Sequence, residues 1–210
     1  MDIKAKKSLG QNFLIDRNIL QVIVDTVNID KKEILEIGPG SGNLTTYILK
    51  KNPKKVYVIE KDKDLSVLLE EKFNSEITII NDDVLKISEN KISKEKLIVF
   101  GNLPYNISTE ILSKWIMGID NNFWFESLVL MFQKEVADRI IAKSNNSKYG
   151  RLSILSDWKL NVKKILDIKP ESFSPRPKIN SSLLLFTPKK SFFDIKNVKN
   201  LEMLTRVFFS

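Results

Sequence analysis

Ile34-Leu35-Glu36-Ile37-Gly38-Pro39-Gly40-Ser41-Gly42 sets a short run of apolar and β-branched residues directly against a loop with three glycines, and helical spacing resumes at Leu44. Such a strand–glycine loop–helix unit lets the backbone turn tightly and approach a ligand that a Cβ would exclude. The dinucleotide fingerprint G-x-G-x-x-G fails at its last position, where Asn43 stands, and Pro39 removes a backbone donor from the loop. The loop therefore fits a ligand packing methionyl and ribose parts against the turn better than a phosphate cradle. Read alone, it also fits a tight turn with no ligand.

Outward from this unit the pattern repeats. Further apolar runs cover 56–59, 77–80, 97–100 and 128–132, with helical spacing at 44–50, 65–73, 108–117 and 134–143 and a less regular stretch from Val84. Before the unit, Ile19, Leu20, Ile23, Val24 and Val27 predict an amphipathic helix over 16–28, with Asp16 as its N-cap. Near-continuous apolar strands alternating with helices predict an α/β fold with a mostly parallel sheet covered on both faces. The runs 160–168 and 182–186 are joined by a Pro- and Ser-containing loop too short for a crossover helix, so they should form an antiparallel hairpin at a sheet edge. After Pro188 the chain is short and mixed until helical spacing returns over 198–209.

Composition removes whole classes of chemistry. The 210 residues contain no cysteine and no histidine, which excludes disulfides, thiolate nucleophiles, imidazole general bases and most zinc sites. No metal is expected. No window approaches the ~18 apolar residues of a membrane span, and the basic N-terminus lacks the apolar core of a secretory signal. A cytoplasmic protein without a membrane partner is expected. Thirty-four Lys and Arg against 26 Asp and Glu leave a net charge of +8, which suits a polyanionic partner as well as a lysine-rich solvated surface.

Two carboxylates follow later strands. Glu60, with Lys61 beside it, ends the second run, where it can accept hydrogen bonds from both hydroxyls of a ribose; Asp83, followed by Val84, comes after the third, where it can accept from an adenine amine. Either alone is commonly a solvated strand-end acid. Together with Gly38 and Gly40 they outline an adenosine-shaped site at consecutive strand ends. The fourth run leads into Gly101-Asn102-Leu103-Pro104-Tyr105. An adenine amine is a poor nucleophile because its lone pair is delocalised into the ring. The Asn102 side-chain oxygen and the Leu103 carbonyl can accept its two hydrogens and aim the lone pair, which is electrostatic catalysis without a proton-transferring imidazole. Pro104 fixes the loop, and Tyr105 can stack on a base extruded from its helix.

With these motifs in view, the sequence resembles the ribosomal RNA adenine N6-dimethyltransferase family over essentially its whole length. Gly10-Gln11-Asn12-Phe13-Leu14 is similar to the family's N-terminal cofactor lid. The glycine loop through Leu44-Thr45 and the block from Gly101 to Ser108 match its cofactor and catalytic motifs. Gln133-Lys134-Glu135-Val136-Ala137 with Tyr149-Gly150-Arg151-Leu152-Ser153, and Phe173-Ser174-Pro175-Arg176-Pro177-Lys178 with Ser181, resemble two further blocks. The resemblance implies a seven-stranded Rossmann-like class I methyltransferase domain over 1–188, S-adenosylmethionine as methyl donor and S-adenosylhomocysteine as product. It adds Gln11, Asn12 and Leu14 to the cofactor contacts. It also places Phe173 in the target-base pocket opposite Tyr105, although that residue equally suits a core anchor.

Gly10 before Gln11, Leu103 and the 133–137 block resemble the branch that dimethylates two adjacent adenines of small-subunit (16S) RNA during ribosome biogenesis. The alternatives are the large-subunit (23S) branch of macrolide-resistance type, and an assembly factor with weak catalysis. A dinucleotide oxidoreductase is disfavoured by the glycine spacing and the missing histidine. The expected partner is the immature small subunit, contacted by a monomer through Lys4, Lys6, Lys7, Arg176 and Lys178. Residues 189–210 are expected to start a helical C-terminal domain within which the chain stops, with poor turnover on ribosomal particles as the consequence.

Overall fold

The computed structural model describes residue 6 and residues 9–119 and 122–209. After the short strand β1 (Phe13–Leu14) comes α1 (Arg17–Asp25). The chain then alternates β2 (Glu33–Ile37), α2 (Asn43–Leu49), β3 (Lys55–Ile59), α3 (Lys63–Phe73), β4 (Thr78–Ile80), β5 (Leu97–Asn102), α4 (Ser108–Gly118) and β6 (Phe125–Gln133). Two helices, α5 (Lys134–Ile141) and α6 (Arg151–Lys159), precede β7 (Leu160–Ile168), β8 (Phe173–Ser174), β9 (Ser181–Pro188) and α7 (Val198–Phe208). The main sheet has seven strands in the order β4-β3-β2-β5-β6-β9-β7. Its first five strands run parallel, while β9 lies antiparallel to both β6 and β7. The α/β architecture with an antiparallel edge hairpin is the one the sequence predicts.

The two-residue period of the strands separates two cores. Leu35 and Ile37 of β2, Leu97 and Val99 of β5, and Leu128, Leu130 and Phe132 of β6 face the cluster that includes Trp115 and Ile140. Ile34, Ile98, Phe100, Val129 and Met131 face the opposite cluster, which includes Ile23, Ile48 and Leu69. Every position of β2 is buried. Such strands read as continuous apolar runs because helices cover both faces. Asp16 caps α1 as expected, its Oδ1 accepting from the Asn18 and Ile19 amides at 3.0 and 3.3 Å.

From β2 the chain steps outward to β3 and β4, then returns to place β5 on the other side of β2. The loops leaving β2 and β5 therefore diverge, and a crevice opens where the winding reverses. Two features escape the periodicity. Helix α6 buries Ser153 and Ser156 among its inward positions, so its apolar stripe is interrupted. Strands β1 and β8 pair with Phe13 opposite Ser174 and Leu14 opposite Phe173, and two-residue strands carry no period. Helix α7 docks on α6, where Arg151 Nη2 donates to Glu202 Oε1 at 2.8 Å. Among the described residues, no helix is long and apolar enough to cross a membrane.

Candidate active site

The floor of the crevice is formed by the C-terminal ends of β2, β3, β4 and β5. Gly38 and Gly40 both have positive φ, 64° and 58°, a conformation open to glycine at little cost. A Cβ on Gly38 would meet nothing within 4 Å, so the backbone there faces open cavity. Glu60 is buried and gripped by amides: Gly40 N–H donates to Oε2 at 3.1 Å and Asp62 N–H to Oε1 at 2.8 Å. Burial pushes its carboxyl above the ordinary range, and these two amides oppose the shift. Asp83 is held below the ordinary range, chiefly by the Lys61 ammonium at 2.8 Å and then by the Leu85 amide at 3.0 Å. Glu36 lies deeper. Burial pushes its carboxyl up to about 7, against the stabilising Thr45 hydroxyl at 2.6 Å.

The roof is the segment from Leu9 to Leu14. The Phe13 ring packs on the glycine loop so closely that a Cβ on Gly40 would come within 2.7 Å of two ring carbons. Asn43 Nδ2 donates to the Leu14 carbonyl at 2.8 Å. Gln11 Nε2 donates to Asp62 Oδ2 at 3.0 Å, and the Lys6 ammonium reaches Asp62 Oδ1 and Asp64 Oδ2, each at 2.7 Å.

The third wall is the loop after β5. Asn102 Nδ2 donates to the Asn12 carbonyl at 2.7 Å, which commits the amide donor and leaves Oδ1 as the acceptor at the cavity wall. Tyr105 Oη lies 2.5 Å from Ser181 Oγ, tethering the loop to β9. Burial raises the Tyr105 phenol further above its ordinary value, so it stays neutral. Behind this wall, Lys114 of α4 donates to the carbonyls of Val84 and Ile87 at 2.7 and 2.5 Å and to Glu89 Oε1 at 2.7 Å. It ties the loop bearing Asp83 to the helix that follows the Asn102 loop. A helical lysine on a mostly apolar stretch gives no hint of this in the sequence.

The structure brings Gln11, Asn12, Leu14, Gly38, Gly40, Glu60, Lys61, Asp83, Val84, Asn102, Leu103, Pro104 and Tyr105 to one cavity. Glu36 and Phe13 line it too, and both lie within the motifs quoted above. Phe173 is 3% exposed and packs in the cluster with Leu14 and Ile168, outside the lining of this cavity. The β1–β8 pairing places Phe173 across from buried Leu14, so both side chains serve the core. Among the basic candidates, Lys4 and Lys7 lie outside the described residues. Lys6 is exposed, and its ammonium is engaged by the carboxylates of Asp62 and Asp64. Arg176 and Lys178 are exposed between β8 and β9, with Arg176 Nη1 3.5 Å from Glu171.

A sheet of this order, with glycines, Glu60, Asp83 and Asn102 at successive strand ends, belongs to the Rossmann-like class I methyltransferases. The crystal structure of a dimethyladenosine transferase from Plasmodium falciparum matches it with a TM-score of 0.81 and 31% identity over 94% of this chain and 70% of that one. The crystal structure of the 23S rRNA methyltransferase ErmE matches with a TM-score of 0.73 and 23% identity, over 93% and 78% of the two chains. The family profile described as Ribosomal RNA adenine dimethylase covers residues 2–210, and the chain belongs to that family. A relative from Pelagibacter ubique (strain HTCC1062), Ribosomal RNA small subunit methyltransferase A, is 76% identical over all 210 residues of this chain and 80% of its own length.

Proposed function

We propose that this chain dimethylates N6 of two adjacent adenines in 16S RNA of the immature small ribosomal subunit, using S-adenosylmethionine. The observation that carries the chemistry is Asn102. Its donor is fixed on the Asn12 carbonyl, so its Oδ1 is preorganised as an acceptor in the cavity that the glycine loop and Glu60 also line. The residues fit the cofactor, because the backbone at Gly38 leaves open space where a side chain would intrude. Glu60 would hold the ribose hydroxyls, Asp83 and Val84 the adenine, and Gln11, Asn12 and Leu14 would cover the ligand. Bound there, S-adenosylmethionine supplies an electrophilic methyl group on a sulfonium.

The chain's own residues do the rest. Asn102 Oδ1 and the Leu103 carbonyl accept the amine hydrogens and draw the nitrogen toward tetrahedral geometry. The same dipoles face the positive charge that develops as the N–C bond forms, before a proton is released to water. Tyr105 stacks on the base with its hydroxyl anchored on Ser181. The small-subunit target is supported by the 76% identity to a protein of that name. The chain would act as a monomer in the cytoplasm, where bacterial ribosomes mature. Arg176 and Lys178, both exposed, would meet RNA phosphates, while Lys6 bonds to the carboxylates beneath the roof. We assign 1–188 to the catalytic domain and 189–210 to a separate helical unit, because β9 ends at Pro188 and irregular chain leads to α7.

The test is transfer of labelled methyl from S-adenosylmethionine to unmethylated small subunits, with large-subunit RNA in parallel and dimethyladenosine as the readout. Label is expected on small-subunit adenines only. Asn102→Ala should lower the rate roughly 100- to 1000-fold, as for loss of one preorganised group in comparable sites. Label on large-subunit RNA instead, or a variant as fast as the parent, would overturn the proposal.

A further inference from the structure

Asp62 is 4% exposed and does not line the cavity, yet Glu60 on the floor and Gln11 in the roof both bond to it. Its backbone N–H donates to Glu60 Oε1 at 2.8 Å. Its Oδ1 caps α3 through the Asp64 amide at 3.1 Å and accepts from Lys6 at 2.7 Å. Its Oδ2 accepts from Gln11 Nε2 at 3.0 Å, while Lys6 N–H donates to Gln11 Oε1 at 2.7 Å. A cap needs only one of these bonds. The Lys6 ammonium and the Gln11 amide converge on the same buried carboxylate, and against the effect of burial the Lys6 contact, first, and Gln11, second, hold that carboxyl below its ordinary range. It therefore stays charged and cannot leave these donors without stranding a buried anion.

From this geometry we infer that Asp62 is a positioning residue that latches the roof segment 9–14 to the ribose-holding Glu60, and so sets how tightly the cofactor is retained. The inference rests on the reading of the cavity as the S-adenosylmethionine site. Because one residue carries both the Glu60 amide and the Gln11 anchor, closure of the roof and orientation of the ribose carboxylate are a single event. Loss of the latch should speed ligand release more than it slows capture.

A serine can still cap α3 but is too short to reach Lys6 and Gln11, so Asp62→Ser separates capping from latching. Calorimetric binding of S-adenosylhomocysteine to this variant should be about tenfold weaker, as expected for losing hydrogen bonds to a charged group, with a melting temperature within about 2 °C of the parent. Gln11→Glu sets a second carboxylate against Asp62 and should weaken binding by a similar factor. Adding Asp62→Asn to Gln11→Glu restores a donor facing an acceptor, and should recover affinity to within about threefold of the parent. Unchanged affinity in Asp62→Ser, or equal weakness of Gln11→Glu in both backgrounds, would overturn the latch. A parent that binds no S-adenosylhomocysteine at all would remove the cofactor reading and this inference with it.

Discussion

The floor and the roof of the cavity are built on opposite principles. The floor is part of the sheet: Gly38, Glu60 and Asn102 stand at the ends of strands whose ladders and cores fix them before any ligand arrives. The roof has two residues of strand, β1, and is otherwise held by side-chain contacts from Asn43, Asp62 and Asn102. A site assembled from the two can be rigid where charge develops and adjustable where ligands enter. Chemistry belongs to the floor and retention to the roof.

The strongest way to break that division is at the point of contact. In Gly40→Ala the new Cβ would lie 2.7 Å from the Phe13 ring at a residue whose φ is 58°, so the roof must lift or the loop must shift. Affinity for S-adenosylhomocysteine should fall by more than about tenfold, since a left-handed alanine alone costs roughly 1–2 kcal/mol. Adding Phe13→Ala should return the steric share and leave the backbone share. If the second change recovered nothing, the ring would not be what the glycine accommodates.

A second effect separates the floor from the roof by pH. The Glu36 carboxyl stands at about 7 in the fold against an ordinary 4.5. A raised acid favours the protonated folded form, so the stability it contributes is full below the ordinary value and is lost as pH rises through about 7. Between roughly pH 5 and 8 the parent should lose on the order of 3 kcal/mol relative to Glu36→Gln. Melting temperatures across that range read this directly, and parallel curves for the two proteins would refute it. The smallest effect should come from beneath the roof, where Asp16 caps α1 and accepts from Ser172 Oγ at 3.1 Å. Asp16→Ala should cost about 1 kcal/mol of stability in chemical denaturation, and a change above about 3 kcal/mol would show that the cap carries the whole β1–β8 ribbon.

Much of the floor is legible in the sequence. Each floor residue follows an apolar run by a fixed few positions, and strand ends in a parallel sheet gather at one edge. The roof was legible only through resemblance: Gln11, Asn12 and Leu14 have no periodicity to place them. The burial of Phe173 has no local signal, because its neighbours in sequence are exposed from Ser174 to Arg176, whereas its partner across the ribbon is buried Leu14. The contacts of Lys6 with Asp62 and Asp64 span 56 and 58 residues, so no local pattern signals them.

What the sequence determined by itself is therefore what short-range pattern encodes: alternating strands and helices, a glycine loop that rejects a dinucleotide spacing, and a chemistry with neither imidazole nor thiol. The tertiary structure alone decided which side chains meet across the crevice. Phe13 on Gly40, Asp62 beneath Gln11 and Lys114 under the Val84 carbonyl join residues at least 27 positions apart. Such meetings follow from how the sheet is wound and how the ribbon folds back over it. No local periodicity records them, because the energy that selects them comes from burying charged and aromatic groups against distant partners rather than from the conformational preferences of their neighbours.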